Sequence, residues 1–202
     1  MPYIHQSESW ARSLFPPAPV INGVQLLPLS IGHLALLEMT DVFSRLNNVM
    51  QAGGALVQGV TICSQLVDDT IRQHNSGTFD DEVETVGKHL ILEDVDAAIK
   101  AFAEYLSDSQ DSPAYFSKSK GGKSGADFWM SVKTLIQERL HLSDYEMLNR
   151  PVTQCLAEYF SIAEMEGWLT LQSASDASLS ERAKQDAEWA LEIAKKVRSS
   201  NA

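Results

Sequence analysis

A glycine-rich stretch, residues 121–124 (GGKS), imitates the end of a phosphate-binding loop. The complete pattern has a further glycine five residues before its second glycine, where this chain has Ser117. It also needs a buried strand that aims the loop at the phosphates, and residues 113–116 are too few to form one. The stretch therefore predicts a flexible loop and not a nucleotide site.

Histidine and cysteine residues are the next candidates for chemistry. His89 and Glu93 stand four apart, a spacing that can place two metal ligands on one helix face. The five histidines are scattered and no HExxH motif is present, so a solvated helix pair is the better interpretation. His33 lies in the first turn of a predicted helix, where its ring can bond back to the N-cap. Cys63 and Cys155 lie on apolar helix faces, so we expect buried, unreactive thiols and a reducing compartment.

Pairs of adjacent carboxylates are the remaining candidates for acid–base chemistry. They are Asp68-Asp69, Asp80-Asp81 and Glu93-Asp94. Each pair falls at a predicted helix end or on a polar face, where carboxylates cap helices and are solvated. The sequence thus predicts no catalytic residue, no metal ligand and no cofactor site, and we expect a protein that is not an enzyme.

The charge balance limits the classes of partner. The 202-residue chain has a formal net charge of -11, which argues against nucleic-acid binding because phosphate contacts need clustered Lys and Arg. This acidity suits a basic or apolar protein partner, or solubility alone. No stretch approaches 18 consecutive apolar residues, so no membrane span is predicted. Because the first ten residues lack the features of a signal peptide, we expect a cytoplasmic protein or one assembled from the cytoplasm.

The N-terminal region predicts an arm and a hairpin. Prolines near the end of residues 1–19 forbid a regular helix, although Trp10, Leu14 and Phe15 could anchor this arm on the core. Asn22-Gly23 then stands between two short apolar runs, which is typical of a type I′ turn. We expect two very short strands.

The residues after the hairpin predict three helices. Ser30 can cap the first helix, and Thr40-Asp41 offers a cap for a second over residues 42–50. Gly53-Gly54 is expected to end that second helix. A long amphipathic helix then follows over residues 55–74, because apolar side chains recur there at helical spacing.

Glycine and polar residues next indicate a close helix contact, a helix break and a loop. Gly59 costs about 1 kcal/mol inside a helix relative to alanine, which indicates close packing against another helix. Residues 80–106 are helical by pattern, with a break expected near Glu93-Asp94. Residues 107–125 are polar and rich in Gly and Ser, which predicts the least ordered internal loop. Ser124 can cap the helix that follows.

The best-delimited helix lies near residues 151–166. Ser143 and Glu146 form a capping box for a short lead-in helix. Pro151 suits a first helical position, and Gly167 suits the left-handed C′ position. Apolar residues between them recur at steps of three and four, and Trp168 is placed to pack back on the last turn. We expect this helix to be the centre of an all-α domain.

A final helix is predicted from the Ser178 and Glu181 capping box to about Arg198. A narrow seam of small and apolar residues on it predicts a surface that a partner helix can approach closely. The alternative is that this helix packs within its own bundle. The residues of this partner-binding seam are Ala183, Ala187, Trp189, Ala190, Ile193, Ala194 and Val197.

Together these elements predict a mainly α fold. We expect a bundle-like single domain with a short N-terminal β-hairpin and a protruding C-terminal helix. The predicted divisions are an arm over residues 1–19, a helical domain over residues 20–172 that contains the flexible loop 107–125, and the C-terminal helix over residues 173–202.

Two stretches resemble a known class of protein. The first, residues 24–38, is an apolar strand followed by the pattern L-S-x-G-H-x-x-L-L; the second is residues 142–151 with the helix that ends at Glu166-Gly167-Trp168. Their order resembles small, mainly helical proteins from the tail gene clusters of tailed bacteriophages and prophages. That class includes candidate tail assembly chaperones and uncharacterised virion proteins.

The resemblance implies an acidic, non-enzymatic protein of the host cytoplasm that binds the long helical tape measure protein before the tail tube polymerises. No catalytic residue, cofactor or metal comes with it. Two alternatives stay open: a structural virion or head–tail connector component, and a bacterial protein-interaction adaptor. The partner is a protein in each case, and the oligomeric state is left undefined.

Overall fold

Helices dominate the part of the chain that the computed structural model describes, namely residues 14–48, 50–90, 94–110, 115–117 and 128–171. Nine helices lie in these residues: α1 (Ile31–Met39), α2 (Val42–Leu46), α3 (Ala52–Cys63), α4 (Val67–Ser76), α5 (Phe79–His89), α6 (Val95–Ser109), α7 (Phe128–Leu140), α8 (Asp144–Asn149) and α9 (Val152–Met165). Four short strands accompany them: β1 (Val20–Ile21), β2 (Val24–Gln25), β3 (Tyr115–Ser117) and β4 (Leu169–Leu171). The predicted mainly α class with a short N-terminal hairpin is confirmed.

The hairpin forms where its turn residues predict it. Asn22 and Gly23 have φ angles of 46° and 89°, as a type I′ turn requires. β1 and β2 pair antiparallel around this turn. Ile21 is buried, and β1 packs against α6, so the hairpin is stabilised by the helical core.

α3 is the central helix of the first half of the fold. It packs against α1, α2, α5 and α6, and its apolar residues are almost entirely buried. A Cβ atom on Gly59 would lie 2.8 Å from the ring of Phe102 on α6 and 3.2 Å from Val42 on α2. The predicted close helix contact at Gly59 is therefore confirmed, and it sets the distance between α3 and α6.

α9 is the central helix of the second half, and it packs against α7 and β4. It ends as predicted, with Gly167 at φ 76°. The Trp168 N–H donates to the Ala163 carbonyl and the Gly167 N–H to the Glu164 carbonyl, which together form a complete Schellman motif. Pro151 differs from the prediction by one position. It is the N-cap of α9 and not its first residue, because its ψ of 135° is not helical and it forms a bridge with Ser30.

Backbone contacts join the two halves at the start of α1. The Val152 N–H donates to the Leu29 carbonyl at 2.7 Å. α1 packs on α8, and a Cβ on Gly32 would come within 2.7 Å of Val67 and 2.9 Å of the Leu148 carbonyl oxygen. A larger residue than glycine at this point would push α1 away from α4 and α8.

The prediction of a single long helix over residues 55–74 is wrong. α3 ends at Cys63 and α4 begins at Val67. The Cys63 carbonyl accepts from the Leu27 N–H at 2.8 Å, and the Gln65 carbonyl accepts from the His33 ring at 2.8 Å. These partners from distant segments replace the helical hydrogen bonds that would continue α3.

The boundaries around α2 also differ from those predicted. Asp41 is left-handed, with φ 56°, and its side chain makes no capping bond. α2 begins at Val42, as predicted, but it ends at Leu46 and not at residue 50. Gly53-Gly54 does not end a helix but lies in the first turn of α3. Arg45 of α2 donates to the Gln58 side chain of α3 at 2.6 Å, which links the two helices.

The prediction of a loop over residues 107–125 is partly wrong. α6 continues to Ser109, and β3 lies inside the segment. β3 pairs antiparallel with β4, in the register Tyr115↔Leu171 and Ser117↔Leu169. The predicted cap at Ser124 lies outside the described residues.

The structure describes only the last residues of the predicted N-terminal arm and none of the predicted C-terminal helix. Leu14 and Phe15 are both exposed, so their expected anchoring on the core is wrong. Residues 1–13 and 172–202, which include Trp10 and the whole partner-binding seam from Ala183 to Val197, lie outside the described residues.

Candidate functional site

The most connected polar cluster lies at the N-terminus of α1, and we call Ser30, His33 and Gln65 the His33 junction. Ser30 is the N-cap, and its hydroxyl accepts from the His33 backbone N–H at 3.2 Å. The Ser30 backbone N–H donates to His33 Nδ1 at 3.2 Å, which completes a capping box with a histidine in the place of the usual glutamate. The expectation that the His33 ring bonds back to the cap is confirmed.

The tautomer of His33 follows from these bonds. Nδ1 accepts from the Ser30 backbone N–H, which can only donate, so the ring hydrogen is on Nε2. Nε2 lies 2.8 Å from the Gln65 carbonyl oxygen and donates to it. Burial lowers the pKa of His33 below 6.5, and the bond to the Gln65 carbonyl opposes this only partly. His33 is therefore neutral and links α1 to the segment between α3 and α4.

The Ser30 hydroxyl lies 3.1 Å from His33 Nδ1, which is the geometry of a nucleophile and its base. However, the two residues are only 1% and 3% exposed, so a substrate cannot reach the hydroxyl. The same ring nitrogen is also occupied by the Ser30 backbone N–H. The pair satisfies the first turn of α1 and is not arranged for nucleophilic attack.

The two cysteines are free and buried, as predicted. Burial raises the pKa of the Cys63 and Cys155 thiols to about 12, so neither forms a reactive thiolate at neutral pH. Tyr105 lies beside Cys63, and its hydroxyl donates to the Leu27 carbonyl at 2.8 Å. Burial also raises the pKa of Tyr105, so this hydroxyl stays protonated and holds α6 against the end of the hairpin.

Carboxylates of the described residues mostly support helix ends. Asp68-Asp69 and Asp80-Asp81 lie in the first turns of α4 and α5, as predicted. Asp94 caps α6, and its carboxylate accepts from the Ala97 N–H at 2.9 Å. His89 is exposed at the end of α5, and its predicted neighbour Glu93 lies outside the described residues. Among those residues no group of three His, Cys, Asp or Glu is placed to hold a metal ion.

An open groove of about 380 Å³ lies between α6 and the segment that leads into β1, and we call it the α6 groove. Pro17, Ala18 and Pro19 form one wall. The other wall and the floor come from Ala101, Glu104, Tyr105 and Asp108 of α6. Tyr105 is buried and forms the floor, whereas both carboxylates are exposed at the rim.

The wall of the α6 groove is held in place by the hairpin. The Gln25 side-chain amide donates to the Ala18 carbonyl at 2.6 Å and to the Leu26 carbonyl at 3.0 Å. The Leu26 N–H donates to the Pro19 carbonyl at 2.9 Å. Both walls of the groove therefore belong to hydrogen-bonded elements.

A second surface feature lies on α7 and α9. Phe128, which is 46% exposed, contacts Trp129 and Tyr159 edge-on, with ring centroids 5.2 Å and 5.8 Å away. Trp129 and Tyr159 are half-buried, and Phe160 continues the cluster into the core. We call Phe128, Trp129 and Tyr159 the aromatic patch. Exposed aromatic rings on a rigid helix pair are typical of protein-binding surfaces.

A half-buried ion pair braces the start of α9. Arg150 donates to both carboxylate oxygens of Glu158, and this bidentate contact raises the pKa of Arg150. The pair joins the α8–α9 connection to the body of α9. Its geometry makes it a structural brace, because each partner is already occupied by the other.

Comparison of the chain with protein-family models, with curated proteins and with solved structures returns no match. In the described part of the chain no helix has both the length and the apolar character needed to cross a bilayer.

Neither surface feature is among the predicted site residues, all of which lie outside the described residues. Glu104 and Asp108 are four apart on α6, a spacing that places two like charges on one helix face and is visible in the sequence. The opposite wall, Pro17 to Pro19, carries no such signal, because only the folded hairpin brings it to α6. The aromatic patch likewise needs α7 and α9 to be adjacent.

Proposed function

We propose that this protein is a non-enzymatic, chaperone-like tail assembly protein of a tailed bacteriophage or prophage. In this proposal it acts in the host cytoplasm and binds a long helical tail partner, the tape measure protein, before the tail tube polymerises. The resemblance of residues 24–38 and 142–168 supports the class. The acidity of the chain, with a formal net charge of -11, supports a protein partner over a nucleic acid.

The observation that carries the binding part of the proposal is the aromatic patch. Phe128 and Tyr159 present rings from two packed helices, so a partner helix meets a preorganised apolar anchor. Aromatic anchors of this kind supply a large part of the binding energy in protein interfaces. Lys133, one turn from Trp129, places a cation beside the same helix face.

The side chains that could be reactive have structural roles, which favours a binding protein over an enzyme. His33 and Ser30 satisfy a helix N-terminus, and the two thiols are buried. The C-terminal seam, Ala183 to Val197, remains part of the proposal as a second contact for the partner helix.

The test is co-expression of the full chain with the long helical protein encoded beside it in its tail gene cluster. A stable complex should elute together on size exclusion, with its mass given by light scattering. The variant Phe128→Ser should weaken the complex by about tenfold, because it removes an interface anchor. Met50→Ser is the matched control, because Met50 is 92% exposed and lies outside the aromatic patch.

Deletion of residues 178–202 separates the two contacts. We expect a folded protein that binds the partner far more weakly. Unfolding of the deleted chain would place the C-terminal helix in the core and remove the seam from the proposal. Failure of the full chains to form a complex would overturn the chaperone function, and stable incorporation into finished particles would favour a structural virion component.

A further inference from the structure

Three exposed apolar side chains flank the proline wall of the α6 groove in the chain. Leu14 and Phe15 come before this wall and Val20 comes directly after it, with exposed fractions of 67%, 80% and 60%. The groove that they adjoin has an apolar floor and apolar inner walls. Exposed apolar side chains beside an apolar groove form the kind of surface that marks an interaction site.

Phe15 is held away from the groove of its own chain. Pro16 and Pro17 follow it directly, and each proline ring fixes its φ angle at about −65°. A residue that precedes proline is itself restricted to an extended backbone. This short, stiff connection disfavours a return of the ring to the wall that it precedes, and Phe15 is accordingly 80% exposed. The ring is therefore presented to a second molecule.

We propose that two copies of this chain associate about a two-fold axis, with Phe15 of each copy inserted into the α6 groove of the other. In a two-fold dimer the same patch meets itself, so the inserted side chain and the groove that receives it must both belong to that patch. Phe15 and the groove meet this condition, because only Pro16 separates Phe15 from the groove wall. This association needs neither the tape measure partner nor the aromatic patch.

The volume of the groove fits this occupant. An apolar cavity of about 150 Å³ is large enough to hold benzene. The groove has a volume of about 380 Å³, so it accepts the phenyl ring of Phe15 and leaves room for Leu14 at its edge. Tyr105 forms the floor, and two aromatic rings pack favourably in offset or edge-to-face arrangements.

The area of the contact predicts a weak dimer. A buried aromatic ring loses about 150–250 Å² of accessible surface, and the groove that covers it loses a similar area. With Leu14 and Val20 at its edges, the contact reaches the low end of specific interfaces, about 1,200 Å² in total. We therefore expect monomer and dimer to be in equilibrium at micromolar concentrations.

Charge opposes this association, which gives the dimer a distinctive response to salt. Glu104 and Asp108 at the rim already have interactions within their own chain, so no ionic bond between the copies is involved. Each copy has a formal net charge of -11, and the two copies therefore repel each other. Added salt screens this repulsion and should strengthen the dimer, whereas salt would weaken an ionic contact.

The test is sedimentation velocity of the full chain over a series of concentrations, in which the average mass should rise from that of the monomer towards that of the dimer. Phe15→Ser removes the inserted ring and should raise the dissociation constant at least about tenfold. Ala101→Gln fills the groove with a residue that suits a helix, and it should have the same effect. The control Met39→Ser replaces an 82% exposed side chain that does not line the groove, and it should leave the dissociation constant within about twofold.

A mixture of the two dimer variants tests the reciprocal geometry. The Phe15→Ser chain keeps its groove and the Ala101→Gln chain keeps its ring, so one of the two contacts can form between them. At the same total concentration, the equimolar mixture should contain more dimer than either variant alone. Circular dichroism of each variant confirms that it is folded, and Phe15→Ser alters only an exposed side chain, so it remains a valid test even where a groove variant unfolds.

Four results would overturn the proposal: a monomer at every concentration, a dimer that Phe15→Ser leaves unchanged, a dimer that weakens as salt is added, and a mixture of folded variants with no gain in dimer. The first result would include occupation of the groove by residues 1–13 of the same chain or by a peptide of another protein, since either would exclude a second copy. These assays contain only this chain, so their outcome is separate from that of the tape measure experiment.

Discussion

The His33 junction and the α6 groove both contain polar side chains one turn apart on a helix, but the two regions use them differently. At the junction Ser30 and His33 are buried, and the Ser30 N–H, both ring nitrogens of His33 and the Gln65 carbonyl have partners within the protein. At the groove Glu104 and Asp108 stand at the surface beside an open, apolar floor. Burial therefore makes the polar groups of the junction important for stability, whereas the exposed carboxylates beside the groove contribute little to folding.

The comparison predicts opposite responses to substitution. Changes at the junction should lower the free energy of unfolding, because they leave buried backbone groups without partners. Changes at the groove should leave the free energy of unfolding almost unchanged, because exposed carboxylates contribute little to folding.

The largest effect is expected from His33→Ala. This substitution leaves the Ser30 N–H and the Gln65 carbonyl without their ring partner and creates a cavity, so the free energy of unfolding should fall by about 3 kcal/mol. Urea denaturation followed by circular dichroism measures it. The control His89→Ala removes an exposed ring and should change stability by less than about 0.5 kcal/mol. Equal losses in the two variants would contradict the structural role of the junction.

A second variant, His33→Gln, separates the two hydrogen bonds of the His33 ring, one to the Ser30 N–H and one to the Gln65 carbonyl. Glutamine at position 33 can still reach back to the Ser30 N–H, because glutamine is a usual residue at this position of a capping box. It cannot be expected to hold the Gln65 carbonyl as well. His33→Gln should therefore cost about 1–2 kcal/mol, less than His33→Ala, in the same denaturation experiment. A loss as large as that of the alanine variant would show that the cap and the link to Gln65 fail together.

The pH dependence of stability sharpens the same contrast. Burial lowers the pKa of His33 in the folded protein below the ordinary value of 6.5. At a pH between the pKa of His33 in the folded protein and its pKa in the unfolded chain, the unfolded chain binds a proton that the folded chain does not. A fall in pH therefore favours unfolding. The free energy of unfolding should therefore decline as the pH falls below about 6.5, by up to about 1.4 kcal/mol for each unit of pKa lowering. The difference between the original chain and His33→Gln, measured from pH 7.5 to 5.5, isolates this contribution, and parallel curves would rule it out.

The smallest change in stability is expected at the groove. Glu104→Gln/Asp108→Asn should leave the free energy of unfolding within about 0.5 kcal/mol of the original, because both side chains are exposed. Thermal denaturation measures the stability. A loss of stability comparable to that of His33→Gln would show that these carboxylates are structural and that the contrast between the two regions does not hold.

Local signals in the chain predict several of the elements that form these regions. Ser30 caps α1, Asn22-Gly23 turns the hairpin, and the Ser143 box starts α8. The reason is that a cap or turn is satisfied within a few residues, so its chemistry is complete in the local sequence. The contact at Gly59 was also predicted, because a glycine inside an amphipathic helix is unfavourable without a packing reason.

Other features depend on residues far apart in the chain. Nothing between Cys63 and Val67 marks a helix break, since the break is made by hydrogen bonds from Leu27 and His33. The pairing of β3 with β4 needs two three-residue strands that the chain separates by α7, α8 and α9, and neither strand is long enough to have a clear period of two.

The sequence by itself determined that this protein is mainly helical, with a type I′ hairpin, capped helices and buried thiols, because hydrophobic period and capping chemistry act over one or two turns. Only the tertiary structure decided where α3 stops and which side chains meet at the α6 groove. The physical reason is that the segment from Pro17 to Pro19 is held beside α6 by contacts between distant residues, namely the Gln25 bond to the Ala18 carbonyl and the Tyr105 bond to the Leu27 carbonyl.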